Sequence, residues 1–122
     1  MLLKDDAERP VPEPFRSTFR KIADAFVAGD FQLRDHAIAT VRAFDGETAD
    51  WIADSIEAYG ADLAPLDEAT WERSIYLWMD GYWGMLVDLS TTTEPVSDLA
   101  LHTKLYATGD GFEMEIYGVY VP

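Results

Sequence analysis

The stretch Trp71-Glu72-Arg73-Ser74-Ile75-Tyr76-Leu77-Trp78-Met79-Asp80-Gly81-Tyr82-Trp83-Gly84-Met85-Leu86-Val87-Asp88-Leu89 decides the fold. Two runs rich in aromatic and aliphatic residues flank Asp80-Gly81, a pair suited to the left-handed positions of a tight turn. The pattern predicts a β-hairpin. Its register follows from matching faces, because residues directly opposite in an antiparallel pair share a side. A two-residue Asp80-Gly81 turn sets Leu77 opposite Gly84 and Ile75 opposite Leu86, and leaves Trp83, Met85 and Val87 on the other side. A three-residue loop, Met79-Asp80-Gly81, with Gly81 left-handed in a bulge, sets Leu77 opposite Trp83, Ile75 opposite Met85 and Arg73 opposite Val87. The second register is the expectation carried forward.

Downstream the period of two continues. Candidate strands run from Trp71 to Trp78, Tyr82 to Leu89, Leu99 to Ala107 and Phe112 to Val121. Reading Asp110-Gly111 as a type I′ turn pairs Leu105 with Ile116 and Ala107 with Met114. Upstream the periodicity is helical. Pro14 suits a first helical turn, Phe15, Phe19, Ile22, Ala23 and Phe26 follow at helical spacing, and Gly29 supplies a left-handed cap. A second helix is predicted from about Glu47 to Tyr59, with Asp45 or Thr48 as N-cap and Gly60 as stop. Its Asp50, Asp54 and Glu57 form a solvated face without a recognised metal-ligand motif. Phe31 to Phe44 fits a helix through Leu33, Ala37, Val41 and Phe44, or an irregular or extended piece, and stays open. Residues 1–13, with Pro10, Pro12 and Pro14 at alternate positions, read as an extended Pro-rich arm before a single domain of residues 14–122. The expected fold is α+β: two or three N-terminal helices packed on one face of a four-stranded antiparallel meander.

Bulk properties narrow the function. With 122 residues, 48% of them hydrophobic, the chain can bury one core. The absence of cysteine excludes disulfides, thiolate metal sites and cysteine nucleophiles. No apolar run approaches the roughly 20 residues that span a bilayer, and Met1 to Asp6 lacks the apolar region of a signal peptide, so a cytoplasmic protein is expected. Nine basic against 23 acidic residues give a net charge of −14, which disfavours nucleic acid and anionic membranes and attracts basic proteins. No cofactor is implied.

The chosen register divides the sheet into two faces. Ile75, Leu77, Trp83, Met85, Val87, Leu89, Leu99, Leu101, Leu105, Phe112, Met114 and Ile116 form the expected core face. Ser74, Tyr76, Trp78, Tyr82, Leu86, Asp88, His102, Lys104, Tyr106, Glu113, Glu115 and Tyr117 form the other. Tyrosine and tryptophan are the residues enriched at binding hot spots, so the candidate binding residues are Tyr76, Trp78, Tyr82, Asp88, His102, Lys104, Tyr106, Glu113, Glu115 and Tyr117. Three uses of such a face stand side by side: docking of a basic protein, stacking against a second copy, or plain cross-strand stabilisation. An enzymatic reading takes His102 as general base, oriented by Asp88, Glu113 or Glu115, or a pocket between helices and sheet lined by Trp51, Trp83 and His36 or His102. No Gly-rich phosphate loop, Gly-x-Ser-x-Gly elbow or His-Glu-x-x-His motif supports a catalytic or metal assignment.

Read together, Ile56-x-x-Tyr59-Gly60, Trp71-x-x-Ser74, Trp78, Trp83, Val87-Asp88-Leu89, Ser97-Asp98-Leu99 and Val119-Tyr120-Val121-Pro122 resemble a family of short uncharacterised bacterial proteins, a domain of unknown function. The likeness runs from Pro10 onward and implies no activity. In size, acidity and aromatic sheet the chain is also similar to immunity proteins that neutralise toxins. The stretch Ala23-x-x-Phe26-x-x-Gly29-Asp30-Phe31 looks like the first helix of nuclear-transport-factor-type domains, although here all four clear strands follow both helices.

Overall fold

The helices begin where the prolines allow. The structure, a computed structural model, describes residues 2–122. Pro12 is the extended N-cap of α1 (Glu13–Val27), and Pro14 lies in the first turn, where its missing N–H leaves no bond unmade. The helix buries Phe19, Ile22, Ala23, Ala25 and Phe26. It ends at Gly29, φ 82°, where Gly29 N–H donates to the Phe26 carbonyl (3.0 Å) and Asp30 N–H to that of Ala25 (2.9 Å), the two bonds of a Schellman cap. Helix α2 (Gly46–Tyr59) starts with the Asp45 carboxylate accepting from Thr48 N–H at 2.8 Å and stops at left-handed Gly60.

Between the helices, residues 31–44 form turns organised by one side chain. The Asp30 carboxylate accepts the backbone N–H groups of Arg34 (2.9 Å), Asp35 (2.8 Å) and His36 (3.0 Å), and meets His36 Nδ1 at 2.8 Å. These bonds hold its carboxyl down at about 2, with the His36 contact the largest cause. Leu33 sits within this loop at φ 56°, a conformation costing roughly 1–2 kcal/mol for a residue with a Cβ. Its side chain is buried, which contributes about 1.5–3 kcal/mol in the other direction.

The remaining elements are β1 (Leu63–Ala64), α3 (Thr70–Arg73), β2 (Ile75–Trp78), β3 (Trp83–Asp88), β4 (Ser90–Thr91), β5 (Ala100–Thr108) and β6 (Gly111–Tyr120). Strands β2-β3-β5-β6 form a four-stranded antiparallel sheet in that order, and β1-β4 a separate two-stranded one. The architecture is α+β, with the N-terminal helices on one face of the larger sheet. The strand expected to begin at Trp71 begins instead at Ile75. Ser74 N–H donates to the Thr70 carbonyl at 3.0 Å and closes a helical turn, α3, over Thr70–Arg73. Ser74, expected on the outer face, is buried: its hydroxyl donates to the Trp71 carbonyl (2.7 Å) and accepts Val11 N–H (3.0 Å).

The first hairpin overturns the expected register. Asp80 (φ 59°) and Gly81 (φ 126°) form a two-residue turn closed by Met79 N–H donating to the Tyr82 carbonyl at 2.8 Å. Trp78 therefore pairs with Trp83, Leu77 with Gly84, Tyr76 with Met85 and Ile75 with Leu86. Tyr76 and Trp78 turn to the core face, and Ile75 and Leu77 to the outer one. The reason lies far away in the chain. The Tyr76 hydroxyl accepts Leu3 N–H (3.2 Å), and Trp83 Nε1 donates to the Leu3 carbonyl (3.1 Å). Lys4 Nζ lies 4.9 Å from the centre of the Trp78 ring. The N-terminal segment thus covers these aromatics and satisfies the polar atoms of Tyr76 and Trp83, which makes their burial favourable.

In the second hairpin Leu105 pairs with Met114, Ala107 with Phe112 and Thr108 with Gly111, so the turn is Gly109-Asp110 with Gly109 at φ 44°. The expected pairing was off by two residues, a shift that leaves the side chains before the bulge at Tyr117 on their expected faces because the strand period is two. A register shift between His102 and Thr103 leaves Tyr117 as a bulge. Both sheet edges are covered by single bridges, Arg9 on Tyr76 of β2 and Val41 on Met114 of β6. Short covers of this kind keep edge N–H and C=O groups from templating other strands. No helix among the described residues is long and apolar enough to cross a membrane.

Candidate protein-interaction face

The outer face of the larger sheet is built row by row from the register. One row is Ile75, Leu86, His102 and Gly118, and the next is Leu77, Gly84, Lys104 and Glu115. A third brings together Tyr82, Tyr106 and Glu113, with the rings of Tyr82 and Tyr106 5.6 Å apart. Among the described residues no helix lies over these rows, and the Trp51 side chain of α2 lies over Gly118, where an added Cβ would sit 2.8 Å from its ring.

These residues form a continuous ladder of rings and cations. Trp51, 46% exposed, stacks on Tyr120 at 5.8 Å, and Tyr120 stacks on His102 at 3.6 Å with the planes 7° apart. His102 lies 5.9 Å from Tyr117. Lys104 Nζ sits between Tyr117 (5.2 Å) and Tyr82 (5.0 Å), and the Arg42 guanidinium lies 4.4 Å from the centre of the Tyr106 ring. Each ring pair contributes about 0.5–1.5 kcal/mol beyond its buried area, and each exposed cation–π contact about 0.5–1 kcal/mol. Bulging Tyr117 out of the ladder of hydrogen bonds is what aims its ring between His102 and Lys104.

Charge on this face is balanced locally. Arg42 binds Glu113 and lies 3.7 Å from Glu115, and Arg73 Nε lies 3.4 Å from Asp88. The Glu113 contact raises the Arg42 guanidinium further above its ordinary value. Burial pushes the Asp88 carboxyl up, against the pull of Arg73. Burial also pushes the Tyr117 phenol up and the His102 imidazole down, the latter opposed by the Tyr120 carbonyl 3.4 Å from Nε2. A neutral imidazole packed flat on a phenol ring accords with that direction.

Of the residues expected here, Tyr82, Asp88, His102, Lys104, Tyr106, Glu113, Glu115 and Tyr117 share the outer face, while Tyr76 and Trp78 are on the core side. Sequence reasoning missed Trp51, Tyr120 and Arg42 from the ladder, and Leu77 and Met79 from its aliphatic side, whereas Leu86 lies on the outer face as expected. Gly118 and Gly84 are the signals for two of them: side chains of Trp51 and Met79 lie over these glycines. The catalytic pairing is not assembled, since His102 makes no hydrogen bond to Asp88, Glu113 or Glu115 among the described residues. Trp83 and His102 lie on opposite faces of the sheet, and His36 is exposed beside Asp30, so these residues and Trp51 do not meet in one pocket. No group of three or more potential metal ligands exists among the described residues.

A family model described as Domain of unknown function (DUF7668) matches residues 23–122. The chain belongs to this family. The DUF7668 match contains the whole ladder, from Arg42 and Trp51 to Tyr120, and begins at Ala23, later than the Pro10 expected from the motifs. The segment that covers Tyr76 and Trp78 lies outside the DUF7668 match. No curated protein and no solved structure matches the chain.

Proposed function

We propose that this chain is a non-enzymatic protein-binding domain whose docking surface is the outer face of the sheet and whose partner is a basic protein. The observation that carries the reading is the ladder from Trp51 to Tyr106, which, beyond the Trp51 side chain itself, no helix among the described residues covers and which the acidic α2 borders. That helix carries Glu47, Asp50, Asp54 and Glu57 and no basic residue. An aromatic centre with a charged rim is the anatomy of a specific interface: the rings supply area at low entropic cost, and the rim steers the approach. A net charge of −14 extends that steering to long range at low salt. A basic toxin neutralised by a bacterial, cytoplasmic immunity protein is one partner with this chemistry.

The reading is tested by placing the photo-cross-linker p-benzoylphenylalanine at position 106, on the ladder, and at exposed position 72 as control. A discrete basic polypeptide should be captured from 106 and not from 72, and its capture should fall when Glu47, Asp50 and Asp54 are replaced by their amides. A cross-linked dimer of the chain, or equal capture from both positions, would overturn it.

A further inference from the structure

The helix side of the molecule carries a second feature, unrelated to the sheet face. A cleft of about 650 Å³ opens between the C-terminal ends of α1 and α2. That volume falls within the range of small-molecule sites. One wall is Val27 and Phe31 over the buried Phe26 ring, the two rings 5.8 Å apart, and the facing wall is Ala53 and Ile56 of α2. Glu57 and Asp62, both exposed, also line the cleft.

The electrostatics of this cleft are one-sided. Two helices end here, each presenting the negative pole of its dipole, and neither has a basic residue in its last turn. The carboxylates of Glu57 and Asp62 have no hydrogen bond or ion pair among the described residues, and no basic side chain lines the cleft. An anion is repelled. A bare divalent ion lacks a ligand set, since two exposed carboxylates offer too few oxygens. A cation carrying an apolar group satisfies both halves: its charge meets these carboxylates and the helix ends, and its apolar part meets Val27, Phe31 and Ile56.

We propose that this cleft is a binding site for a small organic ammonium ion bearing an aryl or alkyl group. The ammonium lies between Glu57 and Asp62 and the apolar group lies against Phe31 and Val27. The site is independent of the sheet face and stands or falls separately from it.

The test is an amide NMR titration of the full chain with 2-phenylethylammonium, alongside the neutral 2-phenylethanol. Saturable shifts should concentrate at Gly29, Ala53, Gly60 and Ala61. The neutral compound should bind at least about fivefold more weakly, and the Glu57→Gln/Asp62→Asn double variant should lose at least about fivefold in affinity for the ammonium, as two exposed charges at helix ends warrant. Both replaced side chains are exposed, and the spectrum of the variant reports directly whether it is folded. Equal binding of the two compounds, unchanged affinity in the double variant, or shifts centred on Glu47 and Asp50 instead would each overturn the proposal.

Discussion

The core face and the outer face of the sheet are made by the same four strands, yet they differ in what lies over them and in how their polar groups are satisfied. On the core face Trp83, Met85, Val87, Leu101, Leu105, Met114 and Ile116 are buried beneath the helices and the N-terminal segment. On the outer face Leu77, Leu86, Lys104, Tyr106 and Tyr117 are half-buried, each held by its neighbours within the sheet. The contrast separates two jobs. A residue enclosed on all sides contributes mainly to stability, because its removal leaves a cavity. A residue in contact on one side only keeps area in reserve for a partner.

The sharpest test of that contrast is a pair of substitutions on one strand, β5. Leu101→Ala, at a fully buried position, should cost about 2–5 kcal/mol in urea unfolding. Tyr106→Ser, on the other face, should cost less, about 1–2.5 kcal/mol, the worth of its contacts with Tyr82 and Arg42. Comparable losses would mean that the ladder is a second core and not a surface in reserve.

Gly118 probes where the two faces meet. An alanine there drives its Cβ into the Trp51 ring, so Gly118→Ala should destabilise by about 1–3 kcal/mol and shift tryptophan emission. Adding Trp51→Ala should recover part of that loss, since the clash is then gone. Additive effects of the two substitutions would show that the helix does not anchor on the outer face as described.

The smallest effects expected concern pH, and two carboxylates give opposite signs. Asp30, held at about 2 against an ordinary 3.8, supports the fold at neutral pH and loses that support as pH falls from about 4 towards 2. Asp30→Asn should therefore lower the thermal midpoint at pH 7 and flatten its fall in acid. Asp88 is raised by burial, so its contribution is greatest below its unfolded value and is lost as pH rises through the raised one. Asp88→Asn should leave the midpoint at pH 7 unchanged or higher. A drop there would show that Arg73 outweighs burial.

How much of this was legible in the sequence depends on the range of the interaction. Proline and glycine act on their own dihedral angles, so α1 and α2 and their Gly29 and Gly60 caps could be placed from local residues. Alternation in β3, β5 and β6 could likewise be read, and a two-residue error in the second hairpin did no harm to the faces. In the first hairpin the same face-matching logic failed. Asp80-Gly81 carried the correct turn, but the aliphatic Ile75 and Leu77 outweighed it as apparent core. Both binding residues proposed on β2, Tyr76 and Trp78, were lost with that choice, and Trp51, 67 residues from Gly118, had no signal in its own neighbourhood to join the face.

What the sequence by itself determined is therefore the two long helices with their glycine stops, the four strands of the larger sheet, and the side on which most residues of β3, β5 and β6 lie. What only the tertiary structure decided is which face Tyr76 and Trp78 take, and with it the composition of the surface left over. The physical reason is that burying a tyrosine hydroxyl or an indole N–H is costly unless it is hydrogen-bonded, a cost left among the described residues at Trp71 Nε1 alone. Here both Tyr76 and Trp83 find theirs on Leu3, more than 70 residues earlier in the chain.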